Sequence, residues 1–469
     1  MTSKLVLNRV LYNKRISNIR NYAKRVNPFK KTLDVLSNDM PPIFSNKKKI
    51  YTYPEHTDIV VIGGGHIGAA VAYWLKTRAS EGLSVVVLEK DSEFVEARKN
   101  ISLGTLSQHF SLPENVHLSK FSIDFLRNAQ ESLGFACDLQ YMPTGSLVLA
   151  SDKYADKLEE NVIMLNELGV RNQVLTTTEL NKRFPWINTN GIKLGCMAIE
   201  AEGIFNSWAL LKGLTDKSKE LGVTFVNAEV TGFDVEKQKD VLMEGVAPGT
   251  FQRINNVIYR SPDNEEHTLK FAICVLAAGS SSGHLASLAG IGTGDNILKV
   301  ALPIEKREFD IYSIKEKAEE TGLNTPFVMD TTGLWMMRNG YENDLLCGNL
   351  PLMQDDTKNI LDEEYFNTII KPSLYNRFPL CKDAEITKHT RENHDCNTYD
   401  NSGILGPHPY HNNLFLATGF GRLGCQHAPG IGRAIAELVI DSQYMSIDLT
   451  RFGFDRLLMN EAIVEFNVY

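Results

Sequence analysis

From Thr57 onward the pattern of apolar and polar positions becomes regular. Asp58-Ile-Val-Val-Ile62 is a short unbroken apolar run of strand length. Three glycines, Gly63 to Gly65, interrupt it. Ala69, Ala70, Ala72, Tyr73 and Leu75 then recur at helical spacing over residues 66–78, and Gly82 ends the stretch. Ser84-Val-Val-Val-Leu-Glu89 returns to strand pattern, so residues 58–89 read as a βαβ unit opening a parallel sheet. Further along, helices are expected over 116–133, 152–167, 208–221 and 428–440. Strands are expected over 145–150, after a turn at Pro143 to Gly145, and over 222–230, 268–278 and 414–418. Segments 304–312 and 333–348 mix polar and apolar positions as antiparallel strands do.

The parallel-type pieces are spread from residue 57 to residue 440, with other patterns between them. This predicts an α/β protein of two interleaved domains: a Rossmann-type nucleotide domain of residues 57–139, 206–299 and 396–445, and an α+β domain with an antiparallel sheet, residues 140–205 and 300–395. Residues 446–469 would pack on the body as a tail. A single cleft would lie between the domains.

Charge changes the picture at one end. Nine cations and no acid precede Asp34, and without them the formal charge of −8 becomes −17. An acidic body argues against a nucleic-acid partner. The basic head, with Leu5, Val6, Leu7, Val10 and Leu11 able to share a face, reads as a mitochondrial presequence in preference to a basic surface arm, and residues 1–49 as leader and linker. The longest apolar run, Phe271 to Ala278, is far short of the roughly 20 residues of a membrane span. Seven scattered cysteines form no C-x-x-C pair, so neither a zinc site nor a disulfide framework is indicated, and no metal is expected.

Gly63-Gly64-Gly65-His66-Ile67-Gly68 matches G-x-G-x-x-G between a strand and a helix. Gly63 would serve the turn, Gly65 the approach of a pyrophosphate, and Gly68 the packing of helix on strand. The amides at His66 and Ile67 open the helix as an anion site. Glu89, with Lys90 after it, ends the second strand, where a carboxylate accepts both ribose hydroxyls and disfavours a 2′-phosphate. Ala278-Gly279 closes another strand in small residues, and Gly419-Phe-Gly421-Arg-Leu-Gly424 precedes a helix as a second glycine-rich turn.

The order of these blocks resembles the D-amino-acid oxidase superfamily, which includes sarcosine and dimethylglycine dehydrogenases. Phe184-Pro-Trp-Ile-Asn-Thr189, Gly406-Pro-His-Pro409 and Ala428-Pro-Gly-Ile-Gly-Arg433 resemble one branch of it more narrowly, over residues 57 to the C-terminus. That branch comprises mitochondrial, matrix-facing flavoproteins associated with assembly of respiratory complex I (NADH:ubiquinone oxidoreductase). The resemblance implies non-covalent FAD, with Gly63, Gly65 and Gly68 at the pyrophosphate, Glu89 at the adenosine ribose and Val230 at the adenine. Ala278 and Gly279 would pass beneath the cofactor, and Gly419, Gly421 and Gly424 would approach the ring. It also implies oxidation of an amine or amino acid by hydride transfer to flavin N5, with Arg338 holding a substrate carboxylate. Complex I subunits or assembly intermediates would be partners, met at the inner membrane without a transmembrane span.

Several positions depart from the superfamily. Arg98 and Lys99 follow Ala97 where a Ser or Thr is usual. Ser280 to Ser282 stand where a Trp is common, the second glycine turn lacks a histidine, and Glu392-Asn-His394 replaces Gly-Tyr-Tyr. Cys396 does not match the flavin-linking cysteine of sarcosine oxidases, whose position falls on Asn393. His109 and His394 could be acid–base groups or structural ones. These departures keep a rival open, a non-catalytic scaffold stabilised by FAD; a folate-linked dehydrogenase is disfavoured because the long C-terminal extension is missing.

Overall fold

The computed structural model describes residues 53–91, 94, 103–134, 136–198, 200–241, 244, 246–293, 299–315, 321–339, 344–349, 365–383 and 385–466. The basic head and the Arg98-Lys99 pair lie outside the described residues. Residues 54–469 form one compact unit.

A six-stranded sheet carries the βαβ unit. Its spatial order is Ile404–Pro407, Leu414–Thr418, Ile273–Leu276, Ile59–Ile62, Val85–Glu89 and Thr224–Asn227. All neighbours run parallel except the antiparallel edge strand Ile404–Pro407. Ile59 sits between Val85 and Ile273 in register, and Ile59–Ile62 is buried along its whole length. A strand covered on both faces needs apolar residues at every position, which is why no alternation marks it.

Two helices cross on one face of this sheet. His66–Ala79 follows the glycine turn, and Gly424–Asp441 packs against it. At the crossing a Cβ on Gly432 would run into the Ala70 backbone, so only glycine lets the helices approach this closely. The second helix begins four residues before the pattern predicts and runs through Pro429. Its apolar face begins only at Ala428, which hides the first turn from a periodicity reading.

The run 268–278 is two strands, not one. Glu266–Lys270 belongs to a three-stranded antiparallel sheet with Gln252–Arg260 and Glu229–Lys237, whereas Ile273–Leu276 joins the parallel sheet. The amides of Ala272 and Ile273 both donate to the Asp58 carbonyl, bending the chain between them. Hydrophobicity continues through the bend, so the sequence pattern does not reveal the change of partner.

The second large sheet has eight strands, in the order Glu385–Asn397, Ile304–Lys315, Asp344–Asn349, Leu334–Arg338, Phe327–Met329, Ser146–Ala150, Leu194–Ala198 and Asn172–Thr176. It is mixed rather than purely antiparallel: Phe327–Met329 and Ser146–Ala150 run parallel, at the seam where two distant sequence blocks meet. Alternation divides its faces. Tyr312, Ile314, Val328, Met336, Leu345 and Cys347 pack under Phe366, Ile370, Leu374 and Phe378. Ile311, Trp335, Met337 and Leu346 point the other way, against Ile204. Ile204 lies in Gly203–Asn206, which pairs with Leu103–Leu106 beside the helix crossing. This second face is therefore the one turned toward the nucleotide half.

Candidate functional site

The glycine turn separates into glycines required by packing and glycines bordering open space. Gly63 has φ +98°, and a Cβ there would lie 2.8 Å from Ala278 Cα. A Cβ on Gly68 would overlap the Gly63 carbonyl. These two hold strand, turn and helix together. Around Gly65, and around Gly279 (φ +53°), nothing lies within 4 Å of an added Cβ. Gly65 caps the helix without a side chain, and no acid occupies the first turn, so the positive end of the helix dipole is left for a ligand. A pyrophosphate fits this arrangement.

Glu89 is held beside the turn. The Gly64 N–H donates to its Oε2 (2.6 Å) and the Asp91 N–H to its Oε1 (2.8 Å). A carboxylate has about four acceptor sites, so lone pairs remain for ribose hydroxyls. Lys90 is exposed. The Glu89 carbonyl accepts from the Ala228 N–H, which brings half-buried Val230 into the same region. His66 Nε2 meets the Ser207 carbonyl at 2.8 Å, which fixes Nε2 as the protonated nitrogen of the neutral ring; burial lowers its pKa. Ile67 packs against Gly424, 3.6 Å from where a Cβ would stand, joining the first glycine turn to the second.

The second turn is built by side chains from distant segments. Asp395 is buried, and its carboxylate accepts from the Gly419 N–H and, at 3.1 Å, from the Gly421 N–H. Burial pushes its carboxyl pKa up, against the pull of these amides and of Thr418. Gly419 and Gly421 have φ of +78° and +58° and so need glycine. Gly419 packs on Ile304 and Asn397, Gly421 on His394 and the Asp395 backbone. Thr418 Oγ1 donates to Ser282 Oγ (2.9 Å), tying this turn to the serine run after Gly279. Neither Asp395 nor Ser282 stands out in the sequence as a contact of this turn; Asp395 lies in the departing string after Glu392-Asn-His394.

A hydrogen-bonded seam continues from the same helix toward the second sheet. Gln426 Nε2 donates to the Ser107 carbonyl and to Ser119 Oγ, both at 2.7 Å. The next amide, Gln108 N–H, donates to Glu202 Oε1 (2.9 Å), and Ser146 Oγ donates to Glu202 Oε2. Glu202 is fully buried, and burial pushes its pKa up to about 7. His109 Nε2 lies 3.9 Å from Glu202 Oε2, and burial pushes this ring down to about 4. Neither nitrogen of His109 or of His427 has a hydrogen-bond partner among the described residues. His109 thus lacks the bonds of a structural histidine. Glu202 and Gln426 carry no motif, and only their burial reveals them.

Arg338 is not brought to this region. It belongs to the row of the sheet that faces Phe366 to Phe378, is buried, and donates to the Thr321 carbonyl (3.2 Å). Its neighbours one residue away in the strand face the nucleotide half; a period of two decides the difference. Cys396 is a buried thiol donating to Asn401 Oδ1 (3.3 Å). Among the described residues no cluster of His, Cys, Asp or Glu could hold a metal ion, and no helix is long and apolar enough to cross a membrane.

Residues 58–438 match the family model described as FAD dependent oxidoreductase. The chain belongs to that family. It is 41% identical over 434 residues to the FAD-dependent oxidoreductase domain-containing protein 1 homolog of Drosophila melanogaster, covering 90% of this chain and 83% of that one. Among solved structures it resembles L-proline dehydrogenase from P. horikoshii, with TM-score 0.69, 22% identity and coverage of 88% and 100%. It also resembles L-amino acid deaminase from Proteus myxofaciens in complex with anthranilate, with TM-score 0.65, 17% identity and coverage of 87% and 94%. Membership of this family implies FAD, and the open, uncapped turn at Gly65 fits its pyrophosphate.

Proposed function

We propose that this chain is an FAD-binding oxidoreductase acting on an amine or amino acid. The observation that carries this reading is the uncapped helix start at Gly65, where an added Cβ would meet nothing within 4 Å, with Glu89 already oriented beside it. Gly65 and the His66 and Ile67 amides would hold the pyrophosphate, Glu89 the ribose, and Gly279 would border the cofactor's path. FAD when bound supplies a two-electron acceptor. The chain's own part is to orient the substrate and keep water from it under the second sheet, with the Gln426–Ser107–Gln108–Glu202 seam fixing the two halves relative to one another. Names of the fold neighbours, which act on proline and other amino acids, support the substrate class.

The test is a visible spectrum of the purified chain lacking residues 1–49, before and after acid precipitation, followed by an amine and amino-acid panel. Flavin bands that move to the supernatant, and bleach anaerobically with one panel member, are expected. A coloured protein that no amine reduces would sink the oxidase reading.

Mitochondrial location and a part in complex I assembly belong to the same proposal. They rest on the acid-free basic head and on the branch resemblance. Import of the full chain into isolated mitochondria, and complex I abundance in cells carrying Gly65→Asp, test them. The scaffold reading keeps one specific observation in its favour: Asp395 already satisfies the Gly419 and Gly421 amides that would otherwise meet a ligand.

A further inference from the structure

We propose that Ser107, Glu202 and His109 form a proton relay leading from the cleft into the core. The relay rests on the amine-oxidation reading above and would receive the proton that a substrate ammonium must lose.

Glu202 is set in an unfavourable stretch of backbone. Ala201 before it has φ +70°, a left-handed conformation that a residue with a Cβ seldom takes. After it, a Cβ on Gly203 would overlap the Met142 carbonyl. The bend turns the carboxyl into the core, where Glu202 is fully buried. There it accepts from the Gln108 N–H and from Ser146 Oγ, and the Ser107 and Gln108 side chains hydrogen-bond to it as well. Among the described residues no lysine or arginine pairs with it; the basic side chain beside it is His109. A buried carboxylate without a cation is costly, and glutamine would sit there without a charge to bury. What glutamine cannot do is take up and release a proton.

His109 is the inner end. Its ring is fully buried, Nε2 lies 3.9 Å from Glu202 Oε2, and neither nitrogen has a hydrogen-bond partner among the described residues. Burial pushes its pKa down to about 4, so the ring is neutral. A neutral imidazole carries one N–H and one lone pair. By exchange of tautomer it accepts from a protonated Glu202 and donates to an ionised one. The 3.9 Å gap exceeds a hydrogen bond, so the ring must approach the carboxyl as the proton crosses.

Ser107 is the outer end, the half-buried member of the three. Its hydroxyl hydrogen-bonds to Glu202 and accepts from the His109 N–H (3.1 Å). Its carbonyl accepts from Gln426 Nε2, two residues beyond Gly424, and Gly424 abuts Ile67 of the dinucleotide turn. The other titratable groups turned toward Glu202 keep their ordinary charge. Cys196 lies in the strand paired with Ser146–Ala150, and the Tyr141 hydroxyl donates to the Ala201 carbonyl (2.8 Å). Burial above all, and the Glu202 charge, raise both, with Arg127 opposing at Tyr141. His427, against Phe110, is pushed down to about 3 by burial and is neutral too. Glu202, raised by burial to about 7, is thus the group that changes charge near neutrality.

In the relay step an N–H bond of the substrate ammonium breaks and its electron pair stays on nitrogen. The proton goes to Ser107 Oγ as the proton of that hydroxyl passes to the ionised Glu202 carboxylate. The amine is left neutral, the form whose adjacent carbon can give up a hydride to the flavin and become an iminium.

Infrared spectra of the full chain, titrated across neutrality, test the relay without any substrate. A protonated-carboxyl band should disappear with a midpoint near pH 7 in wild type and be missing from Glu202→Gln. Transfer to D2O on the acid side should exchange this proton at least tenfold more slowly in Ser107→Ala, with Ser107→Thr restoring the rate. In His109→Phe the band should rise in frequency, as for a carboxyl whose proton donates to nothing. No such band, equal exchange in Ser107→Ala, or an unmoved band in His109→Phe overturns the relay. The second reading is the pH profile of anaerobic flavin bleaching by a reactive amine of the panel. The rate should climb through the same midpoint in wild type, and Glu202→Gln should lose both that rise and at least tenfold in rate. A profile unchanged in Glu202→Gln also overturns the relay. Band, exchange and frequency as expected in a chain that no amine bleaches uphold a proton path from Ser107 to His109 and remove the oxidation reading.

Discussion

The two glycine turns do similar work by different means. At the first, nearly everything lies in residues 63–91, with the Ala277–Ala278 backbone as the one distant neighbour: two glycines packed against backbone, one left open, and a carboxylate oriented by two local amides. At the second, the turn from Thr418 to Gly424 is held by Asp395, Asn397, Ser282 and Ile304, drawn from three other segments. Behind them Asn397 donates to Asp400, and Asp400 is gripped by Arg456 from the tail. One end depends on steric fit around its glycines, the other on long-range polar side chains. The first should therefore fail when an atom is added, and the second when a charge is removed.

The largest effect expected is at that tail contact. Arg456 and Asp400 are both buried, joined at 2.8 and 3.1 Å, and Arg456 also donates to the Ser402 and Gly403 carbonyls. Arg456→Met leaves Asp400 as a buried charge short of its partner, at a cost of about 3–5 kcal/mol. Denaturant unfolding of purified variants measures it. A change below about 1 kcal/mol would mean that the Ile463 and Ser402 amides suffice to hold Asp400, a weaker version of the comparison.

Glu202 lies on the seam between the nucleotide half and the second sheet and adds a pH dependence. In the folded chain its carboxyl keeps its proton up to about pH 7, whereas the ordinary value is 4.5. Between these values the folded state binds more protons than the unfolded one, so stability falls as pH rises and the loss is complete above about 7. At about 1.4 kcal/mol per pKa unit the span is on the order of 3 kcal/mol. Glu202→Gln can still accept from Gln108 and removes this slope. Its melting temperature should match wild type near pH 4 and exceed it at pH 8; parallel pH profiles would refute the assignment.

At the first turn, Gly63→Ala and Gly65→Ala separate packing from ligand approach. Alanine at Gly63 is forced to φ +98° and against the Ala277–Ala278 backbone, and should cost about 2–3 kcal/mol even without cofactor. Alanine at Gly65 meets nothing in the chain, so the flavin-free protein should unfold as wild type does, within about 0.5 kcal/mol. Its flavin content on purification should nevertheless fall sharply. Equal flavin retention in wild type and Gly65→Ala would move the pyrophosphate elsewhere.

This contrast also explains what the sequence revealed. The first turn was legible because each of its requirements, the strand run, the glycines, the helix period and Glu89, lies within about 30 residues. The family resemblance followed from the order of such local blocks. The face taken by Arg338 is not legible in the same way, because a basic residue on a strand of the second sheet carries no mark of which face it takes. That depends on register with Leu345 and on the helices covering Tyr312 and Met336. Asp395 and Glu202 do not stand out in the sequence for a related reason. Their partners lie tens to hundreds of residues away, and nothing in local periodicity encodes such a meeting.

Asp395 gives the sharpest small test. Its two oxygens serve different amides, Oδ2 the Gly419 N–H and Oδ1 the Gly421 N–H. Asn has the same shape but a single acceptor, so in Asp395→Asn one amide must face an NH2 group. The expected cost is about 1–2 kcal/mol, that of one buried donor left unsatisfied. Global unfolding alone would not locate the effect, but amide hydrogen exchange would. Gly419 and Gly421 should exchange faster in Asp395→Asn while Gly64, held by Glu89, is unchanged; Glu89→Gln should give the reverse pattern. If Gly419 and Gly421 keep their protection in Asp395→Asn, the second turn does not depend on its distant carboxylate, and the division between the two ends disappears.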